Sequence, residues 1–476
     1  MAKLLFLQNM DYEFLGPMYI SSSLKSKGHH CEMVIGHSLS DFERVIESFQ
    51  PDMVGFSIMS GSHPWALKMA RLIKDKYAIP NIFGGAHPTF FRDFIKEDGV
   101  DFIVKGEGEE AMVDIMDRID NNGAFNDISN LSYIDENGQV QHNPLRNLAN
   151  RMDDYPYPDR FLYSQLDSRL DRAVRNVITS RGCPFHCSFC FEDAMRDLYK
   201  GKGKYVRIRE MDEVIEECKQ LVRDTDVKVI YFADDVFGMS RSWLYEFLEI
   251  YKKEVGLEFI CLVRADLVAA DRQYAVKLAE AGCKSVFFGI ESGNEDLRNQ
   301  VLKKQLTDQQ IIEAADLLHQ AGIKFRTYNI LGLPDETLED AFSTLELNIK
   351  IKADYPWCSL FSPFPGTELT DYAFAKGYLS PTFDYEKLTK SFFTESKLDI
   401  PNIREMQNLQ KFFQTAVLWP WTYPLIKQLI KLPPNILFQA WFGLIYFHVY
   451  VQSEKRSFWS TLKFAFKNYK HVLAKQ

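Results

Sequence analysis

The sequence predicts an α/β protein: a doubly wound (Rossmann-like) domain, then a partial (β/α)6, TIM-like barrel, then a C-terminal helical segment. Three observations predict it. Strand-length apolar runs alternate with helix-length patterns over residues 1–115, the rhythm breaks across 121–160, and a second alternating series of six begins near residue 176. At 476 residues the chain exceeds the size at which one hydrophobic core stops growing, so a division is expected at 1–120, 121–170, 171–400 and 401–476.

The first series places strands at 3–8, 31–35, 53–57, 81–83 and 101–104, with helices near 17–27, 40–49, 64–76, 88–96 and 109–120. Asn-Asn-Gly, Asp-Glu-Asn-Gly and Tyr-Pro-Tyr-Pro-Asp then supply turns and breaks, which read as a linker with a small hairpin. The second series places strands at 176–179, 228–232, 258–263, 285–289, 324–330 and 356–361. In a barrel of this kind, chemistry gathers at the C-terminal ends of the strands.

A hydrophobic fraction of 46% with 25% charged residues excludes wholesale disorder. The N-terminal apolar run is too short for a signal peptide, and eight cysteines are too few for a disulfide scaffold, so a cytoplasmic protein with free thiols is expected. The net charge of −9 argues against nucleic acid as a partner. That charge is uneven. Residues 411–476 carry Lys411, Lys427, Lys431, Lys455, Arg456, Lys463, Lys467, Lys470 and Lys475 against Glu454 alone, a local charge of +8 that leaves −17 on the remainder.

Three cysteines crowd into Arg181-Gly182-Cys183-Pro184-Phe185-His186-Cys187-Ser188-Phe189-Cys190, directly after the first barrel strand. Three thiolates on one loop suit a four-iron cluster whose fourth iron stays open to a substrate, because electron-carrying clusters usually have every iron capped. A structural zinc site is the alternative, and it needs a fourth ligand, His186 or a distant residue. Cys31, Cys218, Cys261, Cys283 and Cys358 sit among apolar neighbours and read as core.

The Cys-x3-Cys-x2-Cys spacing, with the aromatic Phe189 before the last cysteine, resembles the radical S-adenosylmethionine superfamily. The resemblance implies a 4Fe-4S cluster on Cys183, Cys187 and Cys190. It also implies S-adenosylmethionine chelated at the open iron and cleaved to a 5′-deoxyadenosyl radical, with electrons from a flavodoxin- or ferredoxin-like donor. Strand ends that fit the family's cofactor contacts are Phe232-Ala233-Asp234-Asp235, Val263-Arg264-Ala265-Asp266, Phe288-Gly289-Ile290-Glu291-Ser292-Gly293 and Asn329-Ile330-Leu331-Gly332-Leu333-Pro334. Phe189, Asp234, Arg264, Glu291, Ser292 and Asn329 are the cofactor-binding candidates that the resemblance implies. No catalytic residue is assigned.

A doubly wound domain ahead of such a barrel resembles the cobalamin-binding domain of one branch of the superfamily. Its crevice is expected at Gly16-Pro17 after the first strand, Ser57 after the third, Gly84-Gly85 after the fourth and Gly106-Glu107 after the fifth. The Asp-x-His-x-x-Gly of many cobalamin proteins is missing, since the first loop reads Gln8-Asn9-Met10-Asp11-Tyr12-Glu13-Phe14-Leu15-Gly16, so cobalt would lack a histidine ligand. His63 and His87 follow later strands and read as polar residues of the crevice rim.

The C-terminal segment holds Trp419, Trp421, Trp441 and Trp459. Its apolar stretch at 436–451 contains Gln439 and His448 and is too interrupted to span a membrane. Phe458, Leu462, Phe466 and Tyr469 recur at helical spacing beside Lys463, Lys467 and Lys470, which reads either as a basic amphipathic helix on an anionic membrane or as a cap over the barrel.

The whole chain resembles the cobalamin-dependent radical branch that includes methylases of unactivated carbons and the anaerobic cyclase of bacteriochlorophyll synthesis. The expected function is methyl transfer to a hydrophobic small molecule, lipid, tetrapyrrole or polyketide-like. The alternatives are radical cyclisation, oxidation or carbon–carbon coupling without methyl transfer and, in another class, a cobalamin or redox sensor.

Overall fold

The computed structural model describes residues 1–166, 172–385, 388, 391–454, 458, 459 and 462. The chain divides into two compact units. The first comprises Met1–Leu170, Ala194–Arg207 and Phe364–Gly366, and the second Asp171–Asp193, Ile208–Pro363 and Thr367–Gln476.

The first unit is built from β1 (Lys3–Gln8), α1 (Leu15–Ser26), β2 (His30–Ile35), α2 (Leu39–Phe49), β3 (Met53–Ser57), α3 (His63–Tyr77), β4 (Asn81–Gly84), α4 (Ala86–Phe90), β5 (Phe102–Val104), α5 (Glu109–Asp120), β6 (Leu131–Ile134) and β7 (Val140–His142). Its sheet runs β2-β1-β3-β4-β5-β6-β7, parallel through β5 and antiparallel at β6 and β7. The stretch expected as linker thus adds a hairpin to the sheet edge. Near-continuous apolar strands such as Leu4–Leu7 are what a parallel sheet covered on both faces requires, and separate cores around Met18 and Ile115 and around Phe56 and Ile73 flank it. The strand order reverses between β1 and β3, which opens a crevice at their C-terminal ends.

The second unit begins with β8 (Val174–Val177) and β9 (Ser180–Arg181). After α6 (Phe191–Leu198) and β10 (Arg207–Ile208), whose residues are divided between the two units, it continues through α7 (Met211–Asp224), β11 (Val229–Phe232), α8 (Arg241–Glu254), β12 (Glu258–Leu262), α9 (Ala265–Ala269), α10 (Arg272–Glu280) and β13 (Cys283–Glu291). It ends with α11 (Asp308–Gln320), β14 (Lys324–Leu331), α12 (Leu338–Lys350), β15 (Tyr355–Leu360), α13 (Glu368–Ala375), α14 (Ile403–Leu418), α15 (Tyr423–Leu429) and α16 (Ile436–Ser453). Six parallel strands follow one another in sequence order, β8-β11-β12-β13-β14-β15, the winding of a partial barrel. Capping boxes at Thr307 and Thr337 start α11 and α12.

Period-two alternation divides the barrel strands between two faces. Val177, Phe232, Cys261, Val286, Phe288 and Phe325 enter the large core under the helices. The other face has a small apolar floor of Val174, Val229, Ile260 and Phe287. Above it lie Asn176, Tyr231, Leu262, Gly289, Tyr328 and Trp357, one half-buried residue per strand.

Helices α14 and α16 complete this unit. α16 buries Phe438, Phe442, Ile445 and Val449, at helical spacing, and Ile445 and Val449 cluster with Tyr355 of β15. Tyr446 lies 4.8 Å from the ring of Trp357. The described part of the C-terminal segment is therefore the wall that follows β15. Lys411 of α14, counted on sequence among the basic surface residues, is buried there. Lys455, Arg456, Lys463, Phe466, Lys467, Tyr469, Lys470 and Lys475 lie outside the described residues.

Candidate functional site

The cysteine loop leaves β9 at Gly182, whose φ of +84° a residue with a side chain would rarely adopt. Cys187 is buried, and Cys183 and Cys190 are half-buried. The Cys190 N–H donates to the Cys187 carbonyl at 3.0 Å, and Asp193 N–H to the Cys190 carbonyl at 3.2 Å, so the loop winds directly into α6. Ser188 anchors it: its N–H donates to the Leu302 carbonyl (3.1 Å), its hydroxyl to the Val301 carbonyl (2.6 Å), and its own carbonyl accepts from Leu369 N–H (2.9 Å).

Burial pushes the Cys183 thiol up to about 11 and the Cys190 thiol up to about 12. Such thiols stay protonated at neutral pH until iron displaces the proton. Soft sulfur donors on one rigid loop at a barrel mouth fit an iron–sulfur cluster. His186, the nearest fourth ligand for zinc, has a largely exposed side chain with Nδ1 3.1 Å from Asp193 Oδ1. Among the described residues, no three His, Cys, Asp or Glu side chains converge as ligands of a single ion. A cubane sets each thiolate on a different iron and needs no such convergence.

The strand-end candidates fall into three groups. Arg264 and Glu291 stand beside the cysteine loop. The Arg264 guanidinium lies 3.6 Å from the centre of the Phe185 ring, pairs with Asp266 at 3.0 Å and donates to the Lys304 carbonyl at 3.0 Å. Glu291 ends β13 with a φ of +68° and pairs with Lys304 Nζ at 2.9 Å, and the same ammonium sits 5.6 Å from the centre of Phe189. A non-glycine residue held in that region costs ~1–3 kcal/mol, and such strain gathers at functional sites.

Asp234 acts on the loop from behind. It is buried and accepts from Thr179 N–H, Thr179 Oγ1 and Ser180 Oγ, pinning the strand end that launches the cysteines. Burial raises its carboxyl above the usual range. Ser292 and Asn329 stand apart from the concave face. Ser292 is fully buried in a turn closed by Arg298, and Asn329 exchanges hydrogen bonds with Asn348 and donates to the Trp357 carbonyl at 2.8 Å on the helix side of the sheet.

Sequence reading missed Lys304, Ser188 and the concave ring of Tyr231, Leu262, Tyr328 and Trp357. Strict alternation along each strand was the available signal for the ring. It also missed Arg326, buried with its guanidinium 4.3 Å from the Phe287 ring centre and 4.9 Å from that of Trp357, and joined to Ser453 and Glu454 after α16. Phe393 and Tyr446 extend this aromatic surface from Trp357, at 5.3 and 4.8 Å.

In the first unit, the loops after β1 and β3, at the C-terminal ends of these strands, carry the exposed side chains of Met10 and Met59. Ser57 is exposed at the end of β3, and Gly85, at φ +97°, passes so close to the Ile58 backbone that a β-carbon would meet its carbonyl at 2.6 Å. Exposed thioether side chains beside a backbone that glycine leaves open suit an apolar macrocycle. Gly84 closes β4 beside the Val104 carbonyl. Gly16 was expected in a turn and instead lies in the first turn of α1, ahead of Pro17, where proline is welcome.

Gly106 has its glycine requirement from within the protein, because a β-carbon there would fall on the Tyr199 hydroxyl. Glu107 is held by Arg207 in a two-pronged ion pair, and its N–H donates to Tyr199 Oη at 2.7 Å. His63 and His87 were expected on the polar rim, but both are buried and stack on each other with centroids 4.1 Å apart. Burial and the neighbouring His63 push His87 down to about 3. The first loop is ordered by Gln8, which donates to the Met10 and Tyr12 carbonyls and accepts from Tyr163, and it carries no histidine.

Comparison with known proteins agrees with this geometry. Residues 9–116 match the B12 binding domain model and residues 177–347 the Radical SAM superfamily model. An uncharacterized methyltransferase of Pyrococcus horikoshii is 30% identical over 385 residues, 79% of this chain and 81% of that one. The anaerobic magnesium-protoporphyrin IX monomethyl ester cyclase of Rubrivivax gelatinosus is 26% identical over 419 residues, 83% of this chain and 72% of that one. The solved structure of the cobalamin-dependent S-adenosylmethionine radical enzyme OxsB superposes with a TM-score of 0.72 at 18% identity, covering 95% of this chain and 71% of that one. The chain is an enzyme of the radical S-adenosylmethionine superfamily, in the branch that also binds cobalamin, and its cofactors are a 4Fe-4S cluster, S-adenosylmethionine and cobalamin.

Proposed function

We propose that this enzyme transfers a methyl group to an unactivated carbon of a hydrophobic small molecule, of the lipid, tetrapyrrole or polyketide-like class. The observation that carries the substrate class is the aromatic surface of Tyr231, Tyr328, Trp357, Phe393 and Tyr446, set on the barrel's concave face and its C-terminal wall. The cluster with S-adenosylmethionine supplies a hydrogen-abstracting radical and cobalamin carries the methyl group. The chain's own residues position these groups: Cys183, Cys187 and Cys190 bind iron, Phe185 and Arg264 brace the loop, and the Glu291–Lys304 pair meets the cofactor face. Buried apolar walls exclude water from the radical.

A flavodoxin- or ferredoxin-like protein supplies electrons to the cluster. A cytoplasmic enzyme acting on a lipophilic substrate would work beside the inner face of a membrane, with residues 411–476 nearest to it. Anaerobic incubation with methyl-deuterated S-adenosylmethionine and lipid or pigment extracts should give a product carrying the intact label together with 5′-deoxyadenosine. Similarity to the cyclase favours one second reading, ring closure. It predicts 5′-deoxyadenosine and an unlabelled product.

A further inference from the structure

Helix α16 is apolar on two neighbouring sides, about 100° apart, and among the described residues only one of them is covered. Phe438, Phe442, Ile445 and Val449 pack inward against α14 and β15. Leu437, Trp441 and Leu444 recur on the next side at the same helical spacing; Leu437 is exposed to 74% and Leu444 to 67%, while Trp441 is part-exposed and donates its indole N–H to Thr415 of α14. Ile436 at the start of the helix and Trp421 and Leu425 before it are exposed as well. A helix apolar all round is normally buried all round, and a contiguous exposed apolar patch marks a binding surface.

Charge identifies the occupant. From residue 406 to residue 453 the sequence contains no Asp or Glu; Lys431 is exposed just after α15, Lys427 lies 4.0 Å from Glu346, and five further lysines and one arginine follow residue 454 in the sequence. A second copy of this chain docked across a two-fold axis would bring two such positively charged segments together. An anionic lipid leaflet offers the opposite charge and an apolar interior in one surface, and tryptophan suits the boundary between them. No helix among the described residues is long and apolar enough to cross a membrane, so the helix would lie in the interface rather than span it.

We infer that the outward face of α15 and α16, centred on Leu437, Trp441 and Leu444, docks the enzyme onto an anionic lipid surface. The inference rests on the placement beside a membrane given above, not on the methyl chemistry. It moves the contact from the amphipathic pattern at 458–470 to a described helix that also walls the barrel, so that the lipid contact and the aromatic surface at Tyr446 belong to opposite sides of one helix.

The test uses the full-length, cluster-loaded enzyme in anaerobic flotation with vesicles of phosphatidylcholine alone and of phosphatidylcholine with phosphatidylglycerol. Binding to the anionic vesicles should be at least tenfold stronger and should weaken with salt. Leu437→Glu with Leu444→Glu, both at exposed positions, should abolish it while iron content and 5′-deoxyadenosine formation stay at wild-type levels. Lys431→Glu should remove part of the salt-sensitive component only. Wild-type enzyme that fails to float with anionic vesicles at low salt overturns the inference, and so does a dimer that the leucine variants dissociate. A label-free product with intact flotation would contradict methyl transfer and leave the docking face standing.

Discussion

The carboxylate of Glu291 accepts from Lys304 Nζ at 2.9 Å in the space that Gly289 leaves empty, since a β-carbon on Gly289 would fall on Glu291 Oε1. Both partners are nine-tenths buried, at a bulge where the register with β14 shifts. A paired charge so deep is costly to disturb, because removing one partner strands the other.

Gly289→Ala should therefore lower the melting temperature and weaken S-adenosylmethionine binding together, with an overpacking cost of ~1–3 kcal/mol. Lys304→Met should cost more, ~3–5 kcal/mol, by leaving Glu291 charged and unpaired. Calorimetric melting with isothermal titration checks both. An alanine variant that melts and binds like wild type would show that the pair does not need the empty space.

Lys411 supplies the pH dependence. It sits over the Phe442 ring and donates to the Phe393 carbonyl, and burial pushes its ammonium down to about 8. Because the folded value lies below the unfolded one near 10.5, the folded protein pays for a buried charge below pH 8. Between pH 8 and 10.5 the unfolded chain binds more protons, so stability rises with pH across that window. Lys411→Met should stabilise the protein at neutral pH by up to ~3 kcal/mol and flatten that rise. Melting temperatures of both proteins between pH 7 and 10 test this, and parallel curves would contradict it.

Cobalamin should bind the first unit without a protein nitrogen on cobalt. The first loop has no histidine, and His63 and His87 are locked in a buried stack. Electron resonance of the cob(II)alamin form should show no axial nitrogen splitting, unchanged in His63→Ala and His87→Ala. Splitting that vanishes in either variant would identify a ligand this geometry excludes.

Much of this was legible in the sequence because it rests on local signals. The apolar run 3–8 and the turn residues around it set β1, and 53–57 set β3, at the residues expected, because a parallel strand covered on both faces is written as one continuous apolar run. The cysteine loop was legible through spacing alone. What each strand-end charge does was not, because its partner is remote: Asp234 meets Thr179 55 residues away, and Arg264 bonds to Lys304 40 residues away. Nor could the 436–451 stretch reveal that one side packs on β15, because a helix apolar on both sides has no periodicity to read.

The central claim is that Cys183, Cys187 and Cys190 hold the cluster that cleaves S-adenosylmethionine. The most direct measurement is iron content and 5′-deoxyadenosine formation by anaerobically reconstituted protein, wild type beside the Cys183→Ala, Cys187→Ala, Cys190→Ala triple variant, with a chemical reductant as electron source. The account predicts about four irons per wild-type chain and steady 5′-deoxyadenosine release, with neither in the variant. Release of 5′-deoxyadenosine by the triple variant would contradict it.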